Sequence, residues 1–313
     1  MLTDPRILWL AGGILTLLIL FTAIGHHLQG RVTSDAGRDT VRNLNARIRS
    51  WWAMILLFAT ALVAGPVATL VLFTLLSFMA LREFLTLTPT RPADHRAIFL
   101  CFFVFLPLQY LLIHLAWYGL FAIMIPVYAF LLLPAIAAVA GDTSDFLARC
   151  AKVQWGLMLT VYAISHAPAL LMLEIPGYDL PPALLLLFLM IVVQASDVFQ
   201  YVFGKLLGRT KLAPAVSPSK TVEGLLGGGL TAILIGAGLF SVTPFGPMAA
   251  AGMSAAIVVM GFLGGFALSA IKRDLGAKDW GHSIEGHGGV LDRLDSVSFA
   301  APVFFHLTRY WYT

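Results

Sequence analysis

Between Ser269 and Asp295 the chain reads SAIKRDLGAKDWGHSIEGHGGVLDRLD. The segment gathers Lys272, Arg273, Lys278 and Arg293 with Asp274, Asp279, Glu285, Asp292 and Asp295, and adds His282, His287 and Gly288-Gly289. Asp279, Asp292 and Asp295 are hard oxygen ligands, of the kind that share Mg²⁺ with substrate phosphates. The four Lys and Arg side chains can neutralise phosphate oxygens. His287 is a candidate proton donor or phosphate partner, and Gly288-Gly289 gives the backbone beside it a tight turn. The plainer alternative is a solvated loop whose Lys and Asp side chains pair, which leaves the glycines and the histidine without a reason.

A second polar stretch runs from Ser196-Asp197 through Tyr201, Gly204-Lys205, Gly208-Arg209 and Lys211 to Ser217-Pro218-Ser219-Lys220-Thr221-Val222-Glu223-Gly224. Ser217, Lys220 and a glycine-rich helix start at Gly224 are suited to an anion, because helix-start N–H groups and cations attract one. The same charges also serve as ordinary topology markers with a turn at Ser217-Pro218. Asp197 ends an apolar run, so it is either an intramembrane functional carboxylate or one that reaches interfacial water. Cations and carboxylates gathered at a membrane surface suit the handling of a polyphosphate and an anionic lipid headgroup. A phosphate monoester is already ionised near neutral pH, so the work is to hold two anions together and stabilise the leaving pyrophosphate. No G-x-S-x-G hydrolase elbow occurs.

The elements that must position these groups follow from composition. The 313 residues are 59% hydrophobic and 12% charged, with mean hydropathy +0.88, far too apolar for a soluble domain. Repeated apolar runs of about 18–25 residues predict an all-α, polytopic transmembrane protein, since lipid cannot satisfy open sheet edges. Ten spans are expected, near 7–28, 50–64, 66–85, 98–115, 117–140, 152–173, 183–203, 222–243, 247–271 and 296–312. The second and third share one run broken at Gly65-Pro66, and the second is short for a full crossing, so the count is nine to ten. The run after Arg6 is too long for a signal peptide, and a retained first span is expected.

Placing the N-terminus outside makes 29–49, 86–97, 141–151, 204–221 and 272–295 the inner loops. Counting those loops with their flanking span ends, eighteen of the twenty Lys and Arg lie inside, leaving Arg6 and Arg309 outside. The pI near 9.2 therefore reports topology, and no nucleic acid is expected as a partner. Cys101 and Cys150 fit neither a disulfide framework nor a metal cluster. His26, His27, His95, His114 and His166 are scattered singly and suit structural roles. The chain is read as one integrated membrane unit, with a multi-span region over 1–180 and the chemistry over 181–313.

Both polar stretches resemble the phosphatidate cytidylyltransferase (CDP-diacylglycerol synthase) family. The first carries Ser269, Lys272-Arg273, Lys278-Asp279, Gly281, His287-Gly288-Gly289, Asp292-Arg293 and Asp295, and the second is similar to a conserved upstream region of that family. The resemblance implies an active site on the cytoplasmic face that converts CTP and phosphatidate to CDP-diacylglycerol and pyrophosphate with Mg²⁺. It implies metal ligation by Asp292 and Asp279. Lys272, Lys278, His287 and Arg293 would act at the reacting phosphates. Asp197, Ser217, Lys220, Arg273, Gly288, Gly289 and Asp295 would bind substrate. Three departures stand out: Gly264-Gly265 where many members have Gly-Asp, Trp280 for Ser, and Glu285 for Pro. The expected partners are CTP, phosphatidate or a related lipid phosphate, membrane lipids and a homodimer mate. A bacterial-type inner membrane is expected. The rival is an impaired relative that acts as a membrane scaffold. A transporter would need charges deep in several spans, and these spans nearly lack them.

Overall fold

The computed structural model describes residues 5–31, 34–284, 286 and 288–313. Ten long helices make its frame: α1 Pro5–Arg31, α2 Asp35–Ala64, α3 Pro66–Leu87, α4 Pro92–His114, α5 Tyr118–Val139, α6 Phe146–Met172, α7 Ala183–Leu206, α8 Val222–Gly238, α9 Pro247–Asp274 and α10 Leu291–Tyr312. Between α7 and α8 lies a two-stranded antiparallel hairpin, β1 Lys211–Ala213 and β2 Ser217–Thr221. Among the described residues eight helices are long and apolar enough to cross a membrane, and the protein is an all-α, multi-pass membrane protein. The other two are α8, apolar but only 17 residues, and α10, whose first turns carry Asp292, Arg293 and Asp295.

Three expected boundaries move. The stretch 29–49 is mostly helix, because α2 starts at Asp35 and runs unbroken to Ala64; Ser34 Oγ caps it by accepting from Gly37 N at 3.3 Å. The last helix starts at Leu291 instead of 296, so Asp292, Arg293 and Asp295 are helical residues with fixed directions. The eighth helix ends at Gly238, not near 243, in a short turn at Phe240–Val242. The break at Gly65-Pro66 is confirmed: Gly65 sits at φ 109°, open to glycine, and Pro66 opens α3 with its φ already helical.

One apolar core runs from Leu62 in α2 to Phe305 in α10. Of the most apolar stretch of α6, 72% is buried, against 11% for α1 and 17% for α2, so α6 is the central post and the first two helices are peripheral. Wide turns ease α4, α5 and α6 past their prolines; in α4 the Leu106 N–H reaches back five residues to Cys101 O, just ahead of Pro107. Buried Arg149 of α6 pairs with buried Asp94 of α4 at 3.0 Å, tying the starts of those helices together.

Around the hairpin, α7, α8 and α9 approach through glycines. A Cβ on Gly224 would lie 2.7 Å from Gln200 O, and Gly228, one turn on, meets the Gln200 backbone directly. This small-xxx-small pair lets α8 lie on α7 where Asp197 and Tyr201 emerge. Gly228→Val is expected to force the two helices apart, at a cost of about 1–3 kcal/mol, and to lower the melting temperature of the purified protein. Gly238→Ala, with open space around it, should leave that temperature unchanged.

Candidate active site

The described residues of the loop 275–290 hold little regular structure, so their backbone N–H groups need partners from elsewhere. Two buried carboxylates supply them. Glu83, from the last turns of α3, accepts from Val290 N and Leu291 N at 2.9 Å each and from Ser283 Oγ at 2.7 Å. It thereby caps α10 from a different helix, since Val290, the N-cap residue, has no side-chain cap of its own. A negative charge there also suits the helix dipole. Gly281 and Gly289 both back onto the Glu83 carboxylate, with no room for a Cβ on Gly289.

Asp292 is the second brace. Its Oδ1 accepts from Lys272 Nζ at 2.6 Å, and its Oδ2 accepts from Trp280 N at 2.8 Å and Gly289 N at 2.9 Å. Lys272, in the last turn of α9, is buried with it. The Trp280 ring turns inward and stacks on Phe84, centroids 5.1 Å apart, so the residue that departs from the family pattern anchors the loop to α3 beside Glu83.

These braces shape one wall of a cleft of about 760 Å³. Lys278, Asp279, His282, Ile284, Gly286 and Gly288 line it from the loop, and Asp292 and Arg293 from α10. The facing wall is Gln194, Asp197, Val198 and Tyr201 of α7 with Arg47 and Trp51 of α2. Gly288 stands at φ 83°; a Cβ on it would lie 2.8 Å from Asp292 Oδ2 and 3.4 Å from Asp279 Cβ, so those two residues flank it.

Beside the cleft, Ser296 Oγ donates to Asp197 Oδ1 at 3.0 Å. The space next to Gly265 is faced by Lys220 Nζ, Ser296 Oγ and Asp295 Oδ2, at 3.2, 3.5 and 3.6 Å from where a Cβ would stand. Lys220 also lies 4.7 Å from the Phe262 ring centroid. Burial holds the Lys220 amine below the usual lysine range, against the opposing pull of Asp295 and Asp197.

The fold therefore gathers Lys278, Asp279, Gly288, Asp292, Arg293 and Asp197 on one cleft, with Lys272 and Gly289 behind Asp292, and Lys220 and Asp295 alongside. It does not bring in two expected residues. Arg273 is exposed and donates to Ala277 O at 2.7 Å, closing the end of α9. Ser217 is buried on β2, away from the cleft wall. His287 and Glu285 lie outside the described residues.

Glu83, Arg47 and Trp51 were not singled out from the sequence. Glu83 had a usable signal, a carboxylate inside an apolar span. Arg47 and Trp51 had none beyond general basic and aromatic character at a membrane edge.

Among the described residues no group of three His, Cys, Asp or Glu side chains could cage a metal. Exposed Asp279 and the cleft face of Asp292 fit the other arrangement, in which Mg²⁺ keeps one or two carboxylates and takes its remaining ligands from phosphates and water.

A multi-pass helical frame thus carries a cleft whose cations and carboxylates suit phosphates, and the comparisons give the class as a membrane-embedded nucleotidyltransferase. A model of the cytidylyltransferase family matches residues 45–311, and the chain belongs to that family. It is 40% identical over 296 residues to the uncharacterized protein YnbB of Escherichia coli K12, a match covering 94% of this chain and 95% of that one. It is 40% identical over 121 residues to a phosphatidate cytidylyltransferase of Aquifex aeolicus, and 42% identical over 127 residues to one of Haemophilus influenzae. Each of these covers 38% of this chain, and 45% and 44% of the two enzymes, less than half their length.

Glu83→Ala strands the buried Val290 and Leu291 N–H groups, at about 1–3 kcal/mol each. Thermal unfolding in detergent should show a large drop for Glu83→Ala and a smaller one for Glu83→Gln, which keeps one acceptor oxygen.

Proposed function

We propose that the protein transfers CMP from CTP to phosphatidate or a related lipid phosphate, giving a CDP-lipid and pyrophosphate, at the cytoplasmic face of a bacterial-type inner membrane. The observation that carries this reading is the cleft itself: Arg47, Lys278 and Arg293 share it with Asp197, Asp279 and Asp292, at the end of a membrane helix bundle. Family membership and the partial matches to phosphatidate cytidylyltransferases support it.

In the reaction an oxygen of the lipid phosphate attacks the α-phosphorus of CTP. The new P–O bond forms as the bond from that phosphorus to the bridging β-phosphate oxygen breaks, and pyrophosphate leaves with the electron pair. No general base is needed, because the attacking phosphate is already ionised. Lys278 and Arg293 hold the triphosphate and stabilise charge on the leaving group. Lys272 is held behind Asp292 and fixes its orientation. Asp279 and Asp292 would hold Mg²⁺, which when bound neutralises phosphate charge.

The second reading, a catalytically impaired scaffold, draws on Gly265, which supplies no carboxylate of its own to the space faced by Lys220, Ser296 and Asp295. One assay separates the two: purified protein, Mg²⁺, phosphatidate and CTP labelled at the α-phosphate, with label followed into lipid. The wild type should form labelled CDP-lipid, and Lys278→Ala, exposed on the cleft wall, should lose about 10²-fold or more in rate while staying folded. A folded wild type that labels neither phosphatidate nor a panel of other lipid phosphates would establish the scaffold reading instead. EDTA should abolish labelling and added Mg²⁺ restore it.

A further inference from the structure

We propose that Arg47 of α2 grips the phosphate headgroup of the acceptor lipid, making α2 the acceptor wall of the cleft, with Trp51 marking its membrane side. The proposal rests on the reaction given above and assigns that reaction a residue outside both polar motifs of the chain.

Four observations carry it. Arg47 and Trp51 are four residues apart, hence on one face of α2, and both line the cleft. The loop touches α2 at that turn: a Cβ on Gly286 would lie 3.3 Å from Arg47 Cγ and 3.5 Å from Ala46 Cβ. The helix continues through Trp52, whose Nε1 donates to Thr22 Oγ1 of α1 at 3.1 Å, into the apolar run that ends at Ala64. Paired tryptophans mark headgroup depth, which puts Arg47 about 6 Å to the water side of Trp51, at the level of lipid phosphates. Finally, no carboxylate pairs with Arg47 among the described residues: Asp197, on the same side of the cleft, accepts from Ser296 Oγ, whereas the loop and α10 mix Lys278 and Arg293 with Asp279 and Asp292.

This asymmetry divides the substrates. The mixed wall suits a triphosphate that brings its own cation. A guanidinium with no carboxylate partner among the described residues suits a phosphomonoester alone, which it can meet with two parallel hydrogen bonds. The lipid has a path as well. Exposed Val198 and Tyr201 of α7 flank the cleft with Trp51, giving glycerol and acyl carbons an apolar side on which to enter from the bilayer.

The test uses the full-length protein in lipid nanodiscs. With phosphatidate varied at saturating CTP, and CTP varied at saturating phosphatidate, Arg47→Gln should raise KM for phosphatidate roughly tenfold or more while KM for CTP holds. Arg47→Lys, which keeps the charge without the fork, should recover part of the loss. Arg42→Gln, an exposed cation of α2 that does not line the cleft, should change neither value. A rise in KM for CTP instead, or no change in either value, overturns the proposal.

Equilibrium binding of phosphatidate in detergent, without CTP, tests it independently of turnover. Weaker binding by Arg47→Gln in a protein that makes no CDP-lipid would keep the acceptor wall and discard the reaction. Equal binding by both proteins would discard the wall. Glycerol 3-phosphate, the same headgroup without acyl chains, should compete only at far higher concentration; equal competition would assign Arg47 to a soluble phosphate and overturn the lipid assignment.

Discussion

The structure depends on backbone N–H groups that would otherwise lie buried and unpaired. A glycine-containing loop at the edge of a membrane bundle cannot satisfy its own donors, and leaving them unmet costs more than most side-chain contacts return. Glu83 and Asp292 meet that need together, Glu83 at Val290 and Leu291 and Asp292 at Trp280 and Gly289. One carboxylate comes from α3, far back in the chain, and the other from α10, the helix the loop runs into. The Lys272 ammonium on Asp292 adds α9 to the same knot.

From that knot the cleft follows. With the loop fixed, Lys278 and Asp279 face Asp197 and Tyr201 of α7, and Arg293 emerges one residue after the buried Asp292. The glycines of α8 draw it onto α7, which places Lys220 against Gly265 and Asp295. Asp292 therefore has two duties, bracing the loop and facing the cleft. A substitution there confounds folding with chemistry, whereas Lys278, exposed and without a bracing role, separates them.

Much of this was legible in the sequence, and the misses share a cause. Lys278, Asp279, Asp292 and Arg293 stood out because so many polar residues are rare in so apolar a chain. The helix count and order followed from long apolar runs and the one-sided cations. Glu83 did not stand out, because a single carboxylate in an apolar run reads as a local exception until the distant loop it serves is in place. Arg47 was hidden by a rule that works: basic residues beside a span are topology markers first, and only the fold shows that this one faces a cleft. Arg273 erred the other way, since its place in the motif suggested phosphate and its geometry gives it the end of a helix.

The 17 residues of α8 rise only about 26 Å, less than the roughly 30 Å of a typical hydrocarbon layer. α8 begins where the hairpin ends and lies along α7, the helix that gives the cleft Asp197 and Tyr201. Lipid bordering a short span is compressed, and its headgroups settle toward the bilayer centre. A span this short would favour a thinner bilayer on the α8 side, where a lipid phosphate has less distance to climb before it meets charged side chains.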